Sequence, residues 1–173
     1  NTYYHFINND SDIISFKSKI SEKKINLLLI AAWLHDIGHI KIWDDHEELS
    51  AKYAEQYLHT CHCNEKDIKT VVGCILATKI PHNPKNILEE IICDADVSHI
   101  GSEDFFEKSI LLKNEMEFRK NKKYLEKDWL KKNLDFLNET FFFTEFCKKE
   151  FNHQRDVNII KFQTPVPLTN AIR

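Results

Sequence analysis

The sequence predicts an all-α fold of about eight helices, and three observations carry that prediction. Glycine and proline are scarce, 3 and 4 in 173 residues, too few for the tight turns of a sheet-rich chain. Leu, Ile, Lys, Glu and Phe abound instead. The apolar residues fall at spacings of three and four, as in Ile68, Val71, Val72, Ile75 and Leu76. A chain of this length can bury one core, roughly 70% of its unfolded surface, so a single domain over residues 1–163 is expected, with an extended tail over 164–173.

A first helix is expected over Tyr3–Lys19, with Tyr3, Tyr4, Phe6, Ile7, Ile13, Ile14 and Phe16 as its apolar contacts. Ser21 is placed as the N-cap of the second, which runs to Asp36. Its stretch Ile25–Leu34 is apolar except for Asn26, and a helix apolar on every side is expected to be buried on every side. Gly38, the residue readiest to take left-handed angles, is expected to stop it. His35 and Asp36 would then arrive at a fixed point with little water around them. An unpaired carboxylate in such a place costs several kcal/mol unless a partner or a metal takes it up. The bland reading is a helix cap paired with a basic neighbour. If the first two helices form an antiparallel pair, His5 to Asn9 lie level with His35.

Asp44 or Asp45 is expected to cap the third helix, to about Thr60, with His46, Leu49, Ser50, Tyr53 and Tyr57 on one face. The fourth follows Asn64 and stops before Pro81, because a residue preceding proline is pushed out of the helical region. The fifth, Asn86–Ile100, buries Ile87, Leu88, Ile91, Ile92 and Ala95, with Asp94 and Asp96 on opposite shoulders of that stripe. Periodicity does not choose between the two acids. Gly101 ends the helix, and Ser102, Glu103 and Asp104 open the sixth, which reaches Lys120. The seventh and eighth are expected over Tyr124–Asn138 and Thr144–Phe162, separated by Phe141-Phe142-Phe143, read as core with a homodimer contact as the minority view.

Net charge is −3 with both signs mixed along the chain, which disfavours nucleic acid and a membrane surface as partners. Five cysteines, an odd number with Cys74 and Cys93 among apolar residues, fit reduced thiols better than a disulfide framework. With no leader pattern and no apolar run of spanning length, a cytoplasmic protein is expected. Cys61-His62-Cys63 lacks a second ligand pair at zinc-finger spacing, and Arg119–Lys123 reads as a solvated basic loop.

The polar groups on apolar faces or at inward helix ends are His5, His35, Asp36, His46, His82, Asp96 and His99. Imidazoles and carboxylates without thiolates suit a divalent cation of intermediate hardness such as Mn, Fe, Co, Ni or Zn better than a structural zinc, and one such ion, with Mg also admitted, is the expected cofactor. Such an ion lowers the pKa of bound water and neutralises a phosphoryl group, the two needs of phosphoester hydrolysis.

Here the chain resembles the HD-domain metal-dependent phosphohydrolases. The likeness runs through His35-Asp36-Ile37-Gly38, His46-Glu47 with Ser50-Ala51, Ile75-Leu76-Ala77-Thr78, Asp94-Ala95-Asp96-Val97-Ser98-His99-Ile100-Gly101, Trp129-Leu130 and Phe141-Phe142-Phe143-Thr144. It implies a helical HD bundle in which His35, Asp36 and Asp96 hold the metal and Asp94 orients a ligand. Relatives place their first ligand where Asn9 stands here; either His5, one turn earlier, takes over, or that ligand is absent. Asp36, His39 and His46 are the expected catalytic residues, His39 standing where some relatives carry an acidic group. Glu47, Lys79, His82 and His99 are expected to meet the substrate, a small phosphorylated molecule such as a nucleotide or cyclic nucleotide. Two alternatives stand beside this reading: a non-catalytic module that binds a nucleotide or a protein partner, and a di-iron oxygenase with His46 and His82 as ligands.

Overall fold

The structure is a computed structural model and describes residues 20–164. The expected first helix, with His5 and Asn9, and the end of the expected tail lie outside the described residues. Seven α-helices and two short 3-10 turns are found among those described, with no strand. The chain divides into two compact units, one ending at Asp96 and the other starting at Val97.

The first unit contains α1 (Glu22–Leu34), a 3-10 turn (Ile37–Ile40), α2 (His46–Thr60), α3 (Glu65–Ala77) and most of α4 (Ile87–Val97). The helix starts are chemical. The Asn64 Oδ1 accepts the Asp67 amide at 3.0 Å, and the Asn86 Oδ1 accepts the Leu88 amide at 3.0 Å, so side chains replace intrahelical partners that the first turns lack. α3 lies against both α1 and α2. Leu28 and Ala31, Ala51, Ala54 and Leu58, Ile68, Val71 and Ile75, and Leu88, Ile91 and Ile92 close one continuous core.

Several expectations change here. α1 is not buried on every side: Leu28 and Ala31 are covered, but Trp33 is 77% exposed, because the helix sets a single stripe against the core. The inward stripe of α2 is Glu47, Ser50, Ala51, Ala54 and Leu58, and Tyr57 faces solvent. Asp45 does sit at the start of α2, in a left-handed conformation (φ 56°), but its carboxylate makes no cap; it pairs with Lys79 at 2.7 Å.

The second unit contains a 3-10 turn (Ser98–Gly101), α5 (Phe105–Lys120), α6 (Glu126–Glu139) and α7 (Glu145–Gln163). The longest helix, α7, is its spine. The fully buried Asn158 donates through Nδ2 to the carbonyls of Ile100 and Ser102, both at 2.9 Å, and so pins the turn that a Cβ on Gly101 would drive into Phe151. Arg155 donates through Nε and one Nη to the Leu137 carbonyl at the end of α6, and its guanidinium lies 4.9 Å from the Phe141 ring centre. Of the phenylalanine triplet, Phe142 is core and Phe141 is exposed. The Trp129 indole N–H donates to Ser109 Oγ at 3.0 Å, joining α6 to α5. None of the described helices is long and apolar enough to cross a membrane.

The end of α5 is closed electrostatically. The buried Glu117 carboxylate takes Lys113 at 2.6 Å, Lys123 at 2.7 Å and the Tyr124 amide at 2.9 Å, and these three hold its pKa down at about 2. The unfolded chain protonates this group near the ordinary glutamate value of about 4.3, so its stabilisation is complete above that pH and is lost as pH falls toward 2. Glu117→Gln should therefore lower the urea midpoint at pH 7 and flatten the acid-side loss of stability between those two values, read from denaturation curves across pH.

Candidate metal centre

The site is built where α1 runs into α2. His35 is the C-cap of α1, its amide donating to the Ala31 carbonyl at 2.9 Å, and Asp36 leads the chain into the 3-10 turn. Gly38 serves this turn by its size rather than by left-handed angles, which no described glycine adopts. A Cβ there would stand 2.2 Å from the His46 carbonyl oxygen. Its amide donates to Ser50 Oγ at 2.8 Å, so the turn is bolted onto the first turn of α2. That close approach stacks the His39 ring on His46, with centres 3.5 Å apart and planes 20° from parallel.

Three imidazoles converge on one carboxylate. Asp36 Oδ2 lies 3.3 Å from His35 Nε2, and Asp36 Oδ1 lies 3.2 Å from His46 Nε2 and 3.9 Å from His39 Nε2. From α4, Asp96 Oδ1 reaches the same His35 nitrogen at 3.3 Å. Of the two acids between which periodicity does not choose, Asp96 is the one that reaches His35, while Asp94 is completely buried. Asp36 itself is 57% exposed, so the carboxylate faces a wet opening rather than a dry pocket.

The far ring nitrogens decide what the near ones carry. His35 Nδ1 lies 2.9 Å from the Ala32 carbonyl and His46 Nδ1 lies 3.2 Å from the Trp43 carbonyl, so both Nδ1 atoms must be donors. Glu47, also buried, puts Oε2 3.5 Å from the same His46 nitrogen and reinforces that tautomer. A neutral ring then presents a lone pair at Nε2 toward carboxylate oxygens, an arrangement that needs a second proton or a cation between them. Burial by itself would lower the pKa of His35, but the hydrogen bond and charge of Asp96, with the charge of Asp36, prevail and raise it. The buried Nδ1 of His39 has no hydrogen-bond partner, and the ligand atoms of Asp36, His39 and His46 all lie within 4.8 Å of one another. Two imidazole nitrogens and a carboxylate oxygen at this spacing, with His35 paired to the same carboxylate, suit a divalent cation of intermediate hardness.

The remaining candidates are placed as follows. Burial is the largest influence on His82 and holds its pKa below the ordinary value, against the charges of Asp96, Asp94 and Glu47. Glu47 lies against His46. The Lys79 ammonium is held by Asp45 and Glu48, both at 2.7 Å, and these two bonds raise its pKa. His99 belongs to the second unit, its ring 5.7 Å from Phe105 and 6.2 Å from Phe136. Sequence reasoning missed what Ser50 and the carbonyls of Ala32 and Trp43 do. Only Ser50, a small polar residue one turn into α2, left any signal.

Gly38→Ala should cost about 1–3 kcal/mol by overpacking against a backbone atom, and should also weaken the binding of Mn²⁺ in calorimetric titration, because the turn can no longer hold His39 over His46.

The sequence model of the HD domain matches residues 6–101, more than half of the chain. No curated protein and no solved structure gives a significant match. With the His35-Asp36 pair at the centre of the cluster and a helical frame around it, the chain belongs to the HD-domain family, within the superfamily of metal-dependent phosphohydrolases.

Proposed function

We propose that the protein hydrolyses a phosphoester of a small phosphorylated molecule, a nucleotide or cyclic nucleotide, at one divalent cation held around Asp36. The observation that carries this reading is the aim of the Nε2 atoms of His35, His39 and His46 at a single carboxylate. A cation bound there neutralises charge on a phosphoryl oxygen and lowers the pKa of water.

The residues of the chain supply the positioning. The Asp36 carboxylate gathers the three rings, and Asp96 steadies His35 from α4. Trp43 and Glu47 keep the proton of His46 on Nδ1, which leaves Nε2 free to bind. His82, half-buried on the loop before α4, is proposed to meet the substrate. Lys79, engaged by Asp45 and Glu48, fixes the entry to α2 rather than the substrate. The five cysteines are all free thiols, which supports work in a reducing, cytoplasmic compartment.

Turnover of bis(p-nitrophenyl) phosphate and p-nitrophenyl phosphate, assayed with Mn²⁺, Ni²⁺ and Mg²⁺, tests the reading. Asp36→Ala should abolish it, and undiminished turnover in that variant would refute the assignment. Metal-loaded protein that turns over neither ester nor a panel of nucleotides would favour the module that binds a nucleotide or a partner. Glu47→Gln should reduce metal affinity or turnover by about 10–100-fold, because it acts by orienting His46.

A further inference from the structure

A cavity of about 390 Å³ opens between α5 and α6, lined only by residues of the second unit. We propose that it binds a small planar aromatic anion that also carries one N–H or O–H donor.

The cavity is at the scale of small-molecule sites. Its walls are mainly rings and aliphatic chains, among them Phe105, Met116, Trp129 and Phe136. These walls are set before any ligand arrives. Phe105, Met116 and Trp129 are buried, and the Trp129 indole is fixed by its bond to Ser109. The His99 ring, which also lines the space, lies within 20–35° of the planes of both Phe136 and Phe105. Aromatic faces grouped in this way favour a flat body stacked against them.

Two polar features say what such a body must carry. Lys108 and Lys132 line the cavity, and they differ. Lys108 gives its charge to Asp104 at 2.9 Å, whereas Lys132 has no carboxylate partner among the described residues and holds its ammonium 5.7 Å from the Trp129 ring centre. A cation over an aromatic wall, with no acid to neutralise it, calls for an anionic group on the occupant. Asn133 is only 8% exposed, and its Nδ2 donates to the Trp129 carbonyl at 2.8 Å. Its Oδ1 accepts no hydrogen bond from the described residues and is open to take one from an N–H or O–H of the ligand. A packing defect would account for the volume. It would not by itself set a cation without an acid partner and an open amide oxygen beside the same aromatic wall.

The probe is 8-anilinonaphthalene-1-sulfonate, which joins fused rings, an N–H and a sulfonate. Replacing Trp33 and Trp43 by Phe leaves Trp129 as the sole tryptophan of three, so energy transfer from it reports bound dye, and the variants of the cavity wall locate it. One-to-one binding with strong transfer is expected. Lys132→Glu and Leu112→Phe, the latter narrowing the mouth, should each raise Kd at least tenfold, with Lys131→Glu as the unaffected neighbour and near-ultraviolet circular dichroism confirming the fold. Naphthalene-2-carboxylate should displace the dye and decanoate should not. Equal affinity in the Lys131 and Lys132 variants, dye binding without transfer from Trp129, or displacement by decanoate as effective as by the planar acid would each overturn the proposal.

Discussion

The constraint on which the metal centre depends is the meeting of ring nitrogens with a single carboxylate at Asp36. With Nδ1 of both His35 and His46 already donating to main-chain carbonyls, neither ring has a second proton to offer unless it becomes charged. Lone pairs and carboxylate oxygens 3.2–3.3 Å apart repel one another. A divalent cation held by Asp36, His39 and His46, whose ligand atoms lie within 4.8 Å of one another, removes that repulsion there. A proton removes it at one ring only. The arrangement is therefore more economical as a cation site than as a set of salt pairs.

Holding those rings at that spacing is the work of the fold around them. The buried stripe of α2 is made of small side chains, Ser50, Ala51 and Ala54, which lets the neighbouring backbone approach closely. Gly38 completes the approach, and Ser50 fixes it by accepting the Gly38 amide. Asp45, in its left-handed conformation, with Lys79 across from it, sets where α2 begins and hence where His46 points. The functional geometry thus rests on a small-residue contact and a surface ion pair, neither of which touches a ligand atom.

The second unit is organised differently. Its buried polar groups, Asn158, Arg155 and Glu117, each satisfy two or more partners and act as fasteners between helix ends and turns. The wall around Asn133 and Lys132 departs from that economy, with one acceptor and one cation left uncommitted among the described residues. Fasteners that are fully engaged stabilise a fold, and groups left over beside a cavity are what a ligand recognises.

The sequence by itself determined the helical class and the bounds of the described helices to within a few residues. These are local properties: spacing of apolar residues, side chains that cap, glycine and proline that interrupt. It misjudged which sides of α1 and α2 are covered, because a continuous apolar run gives no phase and burial depends on which helices lie alongside. It could not choose between Asp94 and Asp96, which are equally placed on the stripe of α4. Only the packing of α4 within the first unit turned one acid into the core and the other toward His35. The stacking of His39 on His46 was likewise decided by tertiary structure, since they stand seven positions apart along the chain and only the contact of Gly38 with the start of α2 brings the rings together.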